Sequence, residues 1–201
     1  MLTESTMHFY FNWAKERIDE MDAALASLEA KAPQVKADAK VKIDQLIADL
    51  KKRREEFQAL ARKQAEAGEA AWQRAQIQLQ TQWTGFETQL KTYVGTVSKQ
   101  IEHQQAIFRD IGAAQAKAWR EAADKLRDEG AKVAAAKRPE IDAAIKQMKA
   151  EADAQIERVK QAGGQSWSVI GAALAESRKA FDRVNQGAWE ALKRNREAPK
   201  S

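Results

Sequence analysis

The chain of 201 residues carries a formal net charge of +5, and 31% of its residues are charged whereas 44% are apolar. It contains no cysteine, which excludes disulfide bonds, thiolate metal sites and cysteine nucleophiles and favours a reducing, cytoplasmic location. No apolar run approaches the roughly 18 residues that a transmembrane helix needs, and the nine glycines and three prolines are few enough to favour long helices.

The first predicted helix begins with an aromatic cluster between Phe9 and Trp13 and continues into an apolar seam. The steps of this seam alternate between three and four residues, as helix-to-helix packing requires, at Ile18, Met21, Leu25, Leu28, Ala32, Val35 and Ala39. Pro33 interrupts the seam, and because a proline inside a helix removes a hydrogen bond, we expect a kink or break there. A helix that runs on through Pro33 is the alternative.

The second predicted helix resumes the seam at Ile43 and ends at Gly68. Its basic cluster, Lys51–Arg54, is followed directly by Glu55 and Glu56, which lie about one helical turn away and partly neutralise it. We therefore interpret this cluster as a solvated helix face rather than as an anion-binding patch.

The third predicted helix, over residues 69–94, concentrates the aromatic residues. Its apolar stripe repeats every eleven residues, which indicates an almost straight helix, at Trp72, Ala75, Leu79, Trp83, Phe86, Leu90 and Val94. The polar face is mostly glutamine, and Glu87 is the only acidic residue between Trp72 and Lys99. This segment is therefore amphipathic with a weakly charged polar face.

Three further helices are predicted over residues 99–129, 131–162 and 166–194. Gly95, Gly130 and the pair Gly163-Gly164 mark the breaks that separate them. Pro139 fits the first turn of a helix that begins there. Fewer and longer helices, running through Gly130 as well as Pro33, remain the alternative.

The two halves of the chain resemble each other. Apolar residues pair at a distance of 98 positions: Met21 with Trp119, Leu28 with Leu126, Val35 with Val133, Ile43 with Ile141, and Ile47 with Ile145. A second set pairs at 95 positions: Trp72, Leu79 and Phe86 with Trp167, Leu174 and Phe181. We interpret this as an internal duplication with helical units at residues 1–97 and 98–201. Both trios should then face inward, with Gly68 and Gly163 at equivalent helix ends.

No residue pattern indicates catalysis. His8 and His103 are far apart in sequence, and neither lies in a spacing that places two metal ligands on one helix face. The stretch Gly163–Ser166 indicates a helix break with Ser166 as the N-cap, and not a phosphate loop. Carboxylates are spread regularly over the polar faces. We therefore expect no enzymatic activity, no cofactor, no metal and no specific nucleic-acid partner.

Aromatic residues of the two stripes are the candidates for a partner or lipid surface: Trp72, Trp83, Phe86, Trp167, Phe181 and Trp189. Each ring could instead fill a groove against an alanine-rich helix, with its indole N–H reaching the edge, and we favour this packing interpretation. A stripe that meets lipid would suit an anionic surface, because basic pairs such as Arg62-Lys63 flank the helices.

Several short motifs occur together in the first unit. Leu28–Ala32 reads LEAKA, Lys36–Lys40 reads KADAK and Ala67–Trp72 reads AGEAAW, followed by the pair Trp83 and Phe86. In this order they resemble a widespread bacterial family of small coiled-coil proteins associated with stress responses, and the second unit lacks LEAKA and KADAK. The resemblance implies no catalytic residue. A weaker likeness, in amphipathic character alone, is to phasins and apolipoprotein-like helical proteins.

We therefore predict an all-α, elongated antiparallel helical bundle or coiled coil, built from two tandem copies of a roughly 98-residue unit. The predicted function is that of a non-enzymatic structural or interaction protein, stress-linked and self-associating through its apolar seams. The alternative is an amphipathic coat protein that binds lipid or polymer-granule surfaces.

Overall fold

The computed structural model is an all-α bundle of six helices. It describes residues 4–97, 101–162 and 164–197, and the side chains of these residues except at positions 4–9, 69, 101, 196 and 197. The helices are α1 Glu4–Lys31, α2 Ala37–Ala67, α3 Glu69–Thr96, α4 Ile101–Ala131, α5 Arg138–Ala162 and α6 Trp167–Glu197. At 1.5 Å per residue, these helices are about 38–46 Å long, which confirms the predicted fold class.

The helices of the first half end at the proline and the glycine that predict helix ends. α1 ends at Lys31, and Pro33 lies in a short 3₁₀ turn over Ala32–Gln34, so the helix does not run through the proline. Gly68 alone separates α2 from α3, with a φ of 95° that favours glycine. These features confirm the predicted breaks at Pro33 and Gly68 and exclude the longer-helix alternative there.

The second half divides in a similar way. Gly130 lies one residue before the end of α4, and Pro139 occupies the first turn of α5, as predicted. Ser166 directly precedes α6, although its hydroxyl pairs with the Ser168 hydroxyl at 3.0 Å. The predicted break at Gly163 lies outside the described residues.

Consecutive helices run in opposite directions. Arg54 of α2 pairs with Asp22 of α1, and Lys51 pairs with Glu29. Residue numbers fall along α2 as they rise along α1, so the two helices are antiparallel. The same reversal holds for α1 against α4 and α6. Asn12 and Glu20 of α1 meet Lys125 and Gln115 of α4, and Asn185 and Arg178 of α6. The bundle is therefore antiparallel along the chain, with α4 and α6 parallel to each other.

Helices α1, α4 and α6 contact one another at the centre of the bundle. The α2–α3 hairpin packs mainly on α1, whereas α5 lies against α4 and α6. Two apolar clusters fill the interior. The larger spans α1, α2, α3 and the facing parts of the later helices, and the smaller is formed by α4, α5 and α6 around Trp119 and Phe181. The predicted apolar seams thus lie inside a single chain.

The paired positions of the two halves have similar environments. All ten residues that lie 98 positions apart are buried, each less than 9% exposed: Met21, Leu28, Val35, Ile43, Ile47, Trp119, Leu126, Val133, Ile141 and Ile145. The Val35 amide donates to the Ala32 carbonyl as the Val133 amide donates to the Gly130 carbonyl. A duplication predicts such parallels, but the duplication itself stays a prediction.

The basic cluster of α2 is paired within the protein. Within the predicted basic cluster, Lys51 pairs with Glu29, Lys52 with Glu56 and Arg54 with Asp22, and Arg53 donates to Gln89. Lys52 pairs with Glu56 within α2, as predicted, whereas Lys51, Arg53 and Arg54 bind residues of α1 and α3. No helix in the described parts of the chain combines the length and apolarity that crossing a membrane demands.

Candidate functional site: a buried charge cluster beside an aromatic cavity

Four charged side chains lie inside the bundle, where α1 meets α6. Glu16, Arg17, Glu20 and Arg178 are each at most 9% exposed. The three α1 residues follow Trp13 by three, four and seven positions, so they lie on the same face of the helix. This face is buried, and the three charged side chains are buried with the Trp13 ring. We call these four residues the charge cluster.

Arg178 forms the densest part of the charge cluster. Its Nε donates to Oε2 of Glu20 at 2.8 Å and its Nη2 donates to Oε1 of the same carboxylate at 2.9 Å. Nη1 donates to Glu87 of α3 at 2.7 Å. The guanidinium also lies 4.4 Å from the centre of the Trp83 ring, within cation–π distance. Arg178 therefore joins α6 to both α1 and α3.

Arg17 forms a second and similar group. It donates two hydrogen bonds to the Asp182 carboxylate, at 2.7 and 2.6 Å, and a third to Glu16 at 3.0 Å. Its guanidinium lies 4.3 Å from the Trp13 ring centre. Bidentate pairs of this kind have a strict geometry, so they fix the register of α1 against α6.

The two buried glutamates have opposite pKa shifts. Burial raises the pKa of Glu16 well above its usual range, and the nearby Glu20 charge adds to this effect. Burial also opposes ionisation of Glu20, but the charges of Arg178 and Arg17, together with the hydrogen bonds that Glu20 accepts, outweigh burial and lower the pKa of Glu20. Of the two carboxyl groups, Glu16 therefore keeps its proton to the higher pH.

Neutral polar residues extend the charge cluster along the same interface. Asn12 donates to Asn185 at 3.3 Å, and the Trp189 indole donates to the same Asn185 oxygen at 2.9 Å. Gln115 of α4 donates to Glu20 and to the Leu174 carbonyl, both at 3.0 Å. Most polar groups at this interface thus find partners within the bundle, as burial requires.

A cavity of about 360 Å³ adjoins the charge cluster between α3 and α6. Its walls are mainly apolar and include Trp83, Phe86 and Trp167, whereas Glu20 and Arg178 contribute its charged side. The Trp83 and Phe86 rings stack with their centres 6.0 Å apart. The cavity therefore combines aromatic walls with a charged group that is already paired.

The six candidate aromatic residues do not form one surface. Trp83, Phe86 and Trp167 surround the cavity, whereas Phe181 and Trp189 belong to the other apolar cluster. Trp72 packs under Tyr10, with ring centres 5.3 Å apart. All are at most 3% exposed except the half-buried Trp167. In this fold, a partner or lipid could reach most of these rings only if helices separated.

Trp167 departs from the predicted match between the two trios. Trp72, Leu79 and Phe86 are buried, as are Leu174 and Phe181, but Trp167 is half-buried. It is the first residue of α6 and follows three exposed residues, so one side of its ring lacks a covering helix. The prediction of equivalent environments is therefore wrong at this one position.

His103 shows no sign of metal ligation. His103 is buried, and its Nε2 lies 2.9 Å from the Tyr93 hydroxyl. Burial, aided by the Lys31 charge, lowers the pKa of His103, while burial raises the pKa of Tyr93 to about 12. The His8 side chain lies outside the described residues. Across the described residues, no group of three histidine, aspartate or glutamate side chains is arranged to hold a metal ion.

The charge cluster contradicts one sequence-based expectation. Carboxylates were expected on polar faces only, whereas Glu16 and Glu20 are 1% and 2% exposed. A signal was present in the sequence, since Arg178 follows Leu174 by four residues and precedes Phe181 by three, which places it on the apolar stripe of α6. A charged residue on such a stripe predicts a buried partner.

Comparisons of the chain with protein-family models, curated proteins and solved structures found no match. The resemblance to the bacterial coiled-coil family therefore stays a hypothesis.

Proposed function

We propose that the protein is a non-enzymatic structural or interaction protein that self-associates. The observation that supports a structural rather than an enzymatic role is the state of the charge cluster. Arg17 and Arg178 are held by Glu16, Glu20, Asp182 and Glu87, so its strongest charges are committed to neighbouring helices. Such a cluster is suited to fixing helix register rather than to receiving a substrate.

Self-association has to use the outside of the bundle. The apolar seams, which were expected to pair separate chains, are covered by helices of the same chain. Contact between folded copies therefore needs an exposed helix face, unless whole helices are exchanged.

Sedimentation velocity over a wide concentration range tests the proposal. We expect a monomer at low concentration and a larger species as the concentration rises. A single monomeric species at every concentration, including hundreds of micromolar, would contradict self-association.

A coat protein for lipid or polymer granules is the second candidate. It is favoured by the position of the charge cluster, because burying charge is costly and weakens the α1–α6 contact relative to an apolar one. If α6 separated from α1 and this separation extended to the contacts of α6 with α4 and α5, the stripe bearing Trp189 would be free to meet an apolar surface.

Vesicles of anionic phospholipid containing brominated acyl chains separate the two candidates. A coat protein should float with the vesicles, and the bromine atoms should quench its tryptophan fluorescence. Protein that stays at the bottom of the gradient with unchanged fluorescence would exclude this function for anionic lipid surfaces.

The proposed link to stress rests on the family resemblance alone. If the link holds, cells should accumulate the protein after heat or osmotic shock. Constant abundance under both treatments would remove the support for it.

A further inference from the structure

Two open grooves run along the outside of the bundle, one in each half of the chain. The first-half groove lies between α1 and α2 and has a volume of about 620 Å³, and the second-half groove lies between α4 and α5 and has a volume of about 610 Å³. Nine of the described residues that line the second-half groove stand 98 positions after a residue that lines the first-half groove. Examples are Gly112 after Ala14, Ala116 after Ile18, and Lys160 after Arg62. The two grooves therefore occupy equivalent places in the two halves.

The two grooves differ in charge. Three basic and three acidic side chains line the first-half groove, and two of these acids pair with two of these bases. Arg120 stands in the second-half groove where the first-half groove has Asp22, and Gly164 stands where it has Glu66. Of the described residues that line the second-half groove, none is acidic and three are basic: Arg109, Arg120 and Lys160. The second-half groove is therefore positive, whereas the first-half groove is balanced.

The basic groups of the second-half groove are available to an anion. Arg109 and Arg120 are exposed, and neither has an ion-pair or hydrogen-bond partner within the part of the chain that the structure describes. Lys160 lies 3.9 Å from Glu157, with both side chains exposed, and such a pair contributes little. Asp110 follows Arg109 in the sequence but does not line the groove. An anion at Arg109 or Arg120 would therefore displace water and not a protein carboxylate.

Arg109 and Lys160 lie at the same end of the second-half groove. A methyl group at Gly112 would lie 2.8 Å from Cγ1 of Val159, so these two residues are level with each other in the antiparallel pair of α4 and α5. On this register, Arg109 and Lys160 are about 3 Å apart along the helix axes, whereas Arg120 lies about 17 Å from Arg109 along α4. One end of the groove thus carries two positive charges, which suits a single anionic group.

Between its charged ends the second-half groove is apolar. Ala113 and Ile156 stand where the first-half groove has Lys15 and Gln58. Gln105 is the one uncharged polar side chain among the described residues that line the second-half groove. A polar ligand would find few hydrogen-bonding groups on this floor, whereas a hydrocarbon chain would leave water for an apolar surface.

The dimensions of the second-half groove fit one hydrocarbon chain. From Gln105 to Arg120 it is about 22 Å long, which exceeds the about 15 Å that one acyl chain spans in half of a bilayer core. Over this length, its volume of about 610 Å³ corresponds to a mean cross-section of about 27 Å². An α-helix with its side chains is about 10–12 Å wide and needs about 80 Å² or more. The groove is therefore too narrow to receive a partner helix.

We propose that the second-half groove binds the anion of a long-chain fatty acid. The carboxylate lies between Arg109 and Lys160, which are the side-chain types that bind carboxylates, and the hydrocarbon chain runs along α4 towards Arg120. The stem of Arg120 covers the far end of the chain while its guanidinium stays in water. This inference goes beyond the proposed self-association and does not depend on it, because the groove lies within one chain.

Displacement of the fluorescent fatty acid cis-parinarate measures binding. Dodecanoate should displace it, and tetradecanoate should bind about tenfold more tightly than dodecanoate, because two further methylene groups leave water. Dodecanol, which lacks the charge, should bind at least tenfold more weakly than dodecanoate. Failure of both fatty acids to displace the probe, or equal binding of dodecanol and dodecanoate, would overturn the proposal.

Two matched substitutions test the location of the site. Lys160→Met and Arg62→Met remove exposed charges from equivalent positions of the two grooves. Lys160→Met should weaken dodecanoate binding at least tenfold, whereas Arg62→Met should leave it unchanged. Equal losses in the two variants, or no loss in Lys160→Met, would overturn the second-half groove as the site.

A third substitution separates charge from apolar contact. Arg109→Phe introduces the residue type found at the equivalent Phe11, so it removes a positive charge while adding apolar surface. It should weaken dodecanoate binding at least tenfold without weakening that of dodecanol. Circular dichroism should show unchanged helix content in all three variants, because the replaced side chains are exposed. Dodecanoate binding that survives Arg109→Phe would contradict the assigned position of the carboxylate.

Phospholipid vesicles distinguish a free fatty acid from a membrane lipid. Anionic vesicles that contain no free fatty acid should not displace cis-parinarate, because the groove takes up a single chain. Displacement by these vesicles but not by dodecanoate would overturn a fatty acid as the ligand. Sedimentation of the ligand-free protein reports self-association separately, so a monomer that binds dodecanoate would contradict the proposed function and leave this site intact.

Discussion

Arg178 of α6 binds Glu20 of α1 through two hydrogen bonds of 2.8 and 2.9 Å in the interior of the bundle. The two residues are 158 positions apart in the chain, so the pair closes the last helix onto the first. Together with the Arg17–Asp182 pair, it determines how α1 and α6 are aligned, because bidentate pairs have a strict geometry.

Removing one partner of this pair should be strongly destabilising. Arg178→Met would leave the Glu20 carboxylate buried without its main counter-charge, which typically costs about 3–5 kcal/mol of unfolding free energy. Urea denaturation of the variant measures this loss. Lys179→Met is the matched control on the same helix, because its partner Glu176 is exposed and such pairs contribute less than about 1 kcal/mol.

The double variant Glu20→Met with Arg178→Met tests whether the unpaired Glu20 carboxylate causes this loss, as in a double-mutant cycle. Because replacing both members of a buried ion pair by apolar residues is often close to neutral, we expect it to recover much of the stability lost in Arg178→Met. If the double variant is instead less stable than Arg178→Met alone, the desolvation of Glu20 is not the cause of the loss.

Glu16 should make the fold less stable as the pH rises. Burial raises the pKa of Glu16 in the folded state, so the folded chain binds its proton over a pH range in which the unfolded chain has released it. The contribution of Glu16 to the free energy of unfolding is therefore fully present below the ordinary pKa of glutamate. It is lost as the pH rises towards the raised pKa of Glu16 in the folded state. Melting temperatures between pH 5 and 9 should show this decline.

Glu16→Gln supplies the comparison for this pH dependence. The amide mimics the protonated carboxyl and cannot titrate, so the variant should melt at the same or a higher temperature at pH 8 and should lack the Glu16 part of the decline. Parallel curves for the two proteins would show that Glu16 is not the titrating group.

Trp167 should account for the quencher-accessible part of the fluorescence. The chain has six tryptophans, and all except the half-buried Trp167 are at most 5% exposed. In acrylamide titrations, Trp167→Phe should therefore lower the Stern–Volmer constant markedly. Trp83→Phe, at the other wall of the cavity, is the control and should leave it nearly unchanged, because the Trp83 ring is covered by Phe86 and Arg178.

Two glycines should respond to alanine in opposite ways. A methyl group at Gly130 would lie 2.7 Å from Cγ2 of the buried Ile141, so Gly130→Ala should destabilise the fold by about 1–3 kcal/mol through overpacking of α4 on α5. At Gly187, within α6, nothing lies within 4 Å, and Gly187→Ala should stabilise it by about 0.5–1 kcal/mol through helix propensity. Thermal melts of both variants check the pair, and equal signs would contradict the close α4–α5 approach.

The sequence by itself determined the helices and most of the core, because both depend on local signals. The three-and-four spacing placed Met21, Leu28 and Leu79 inside, and they are fully buried. Pro33 and Gly68 marked helix ends because a missing amide hydrogen and a positive φ act on the chain locally. The apolar stripe of an amphipathic helix has to be buried whatever packs on it, so the residue pattern of that helix alone is enough to predict which side chains are in the core.

Only the tertiary structure decided which helix packs against each apolar stripe. The pairing of Glu20 with Arg178 joins residues 158 positions apart, and the partial exposure of Trp167 accompanies its place at the cavity between α3 and α6. Neither follows from periodicity, which specifies the direction in which a side chain points but not its partner. The burial of charge in the α1–α6 contact is tolerated only because two arginines and several carboxylates meet there at once.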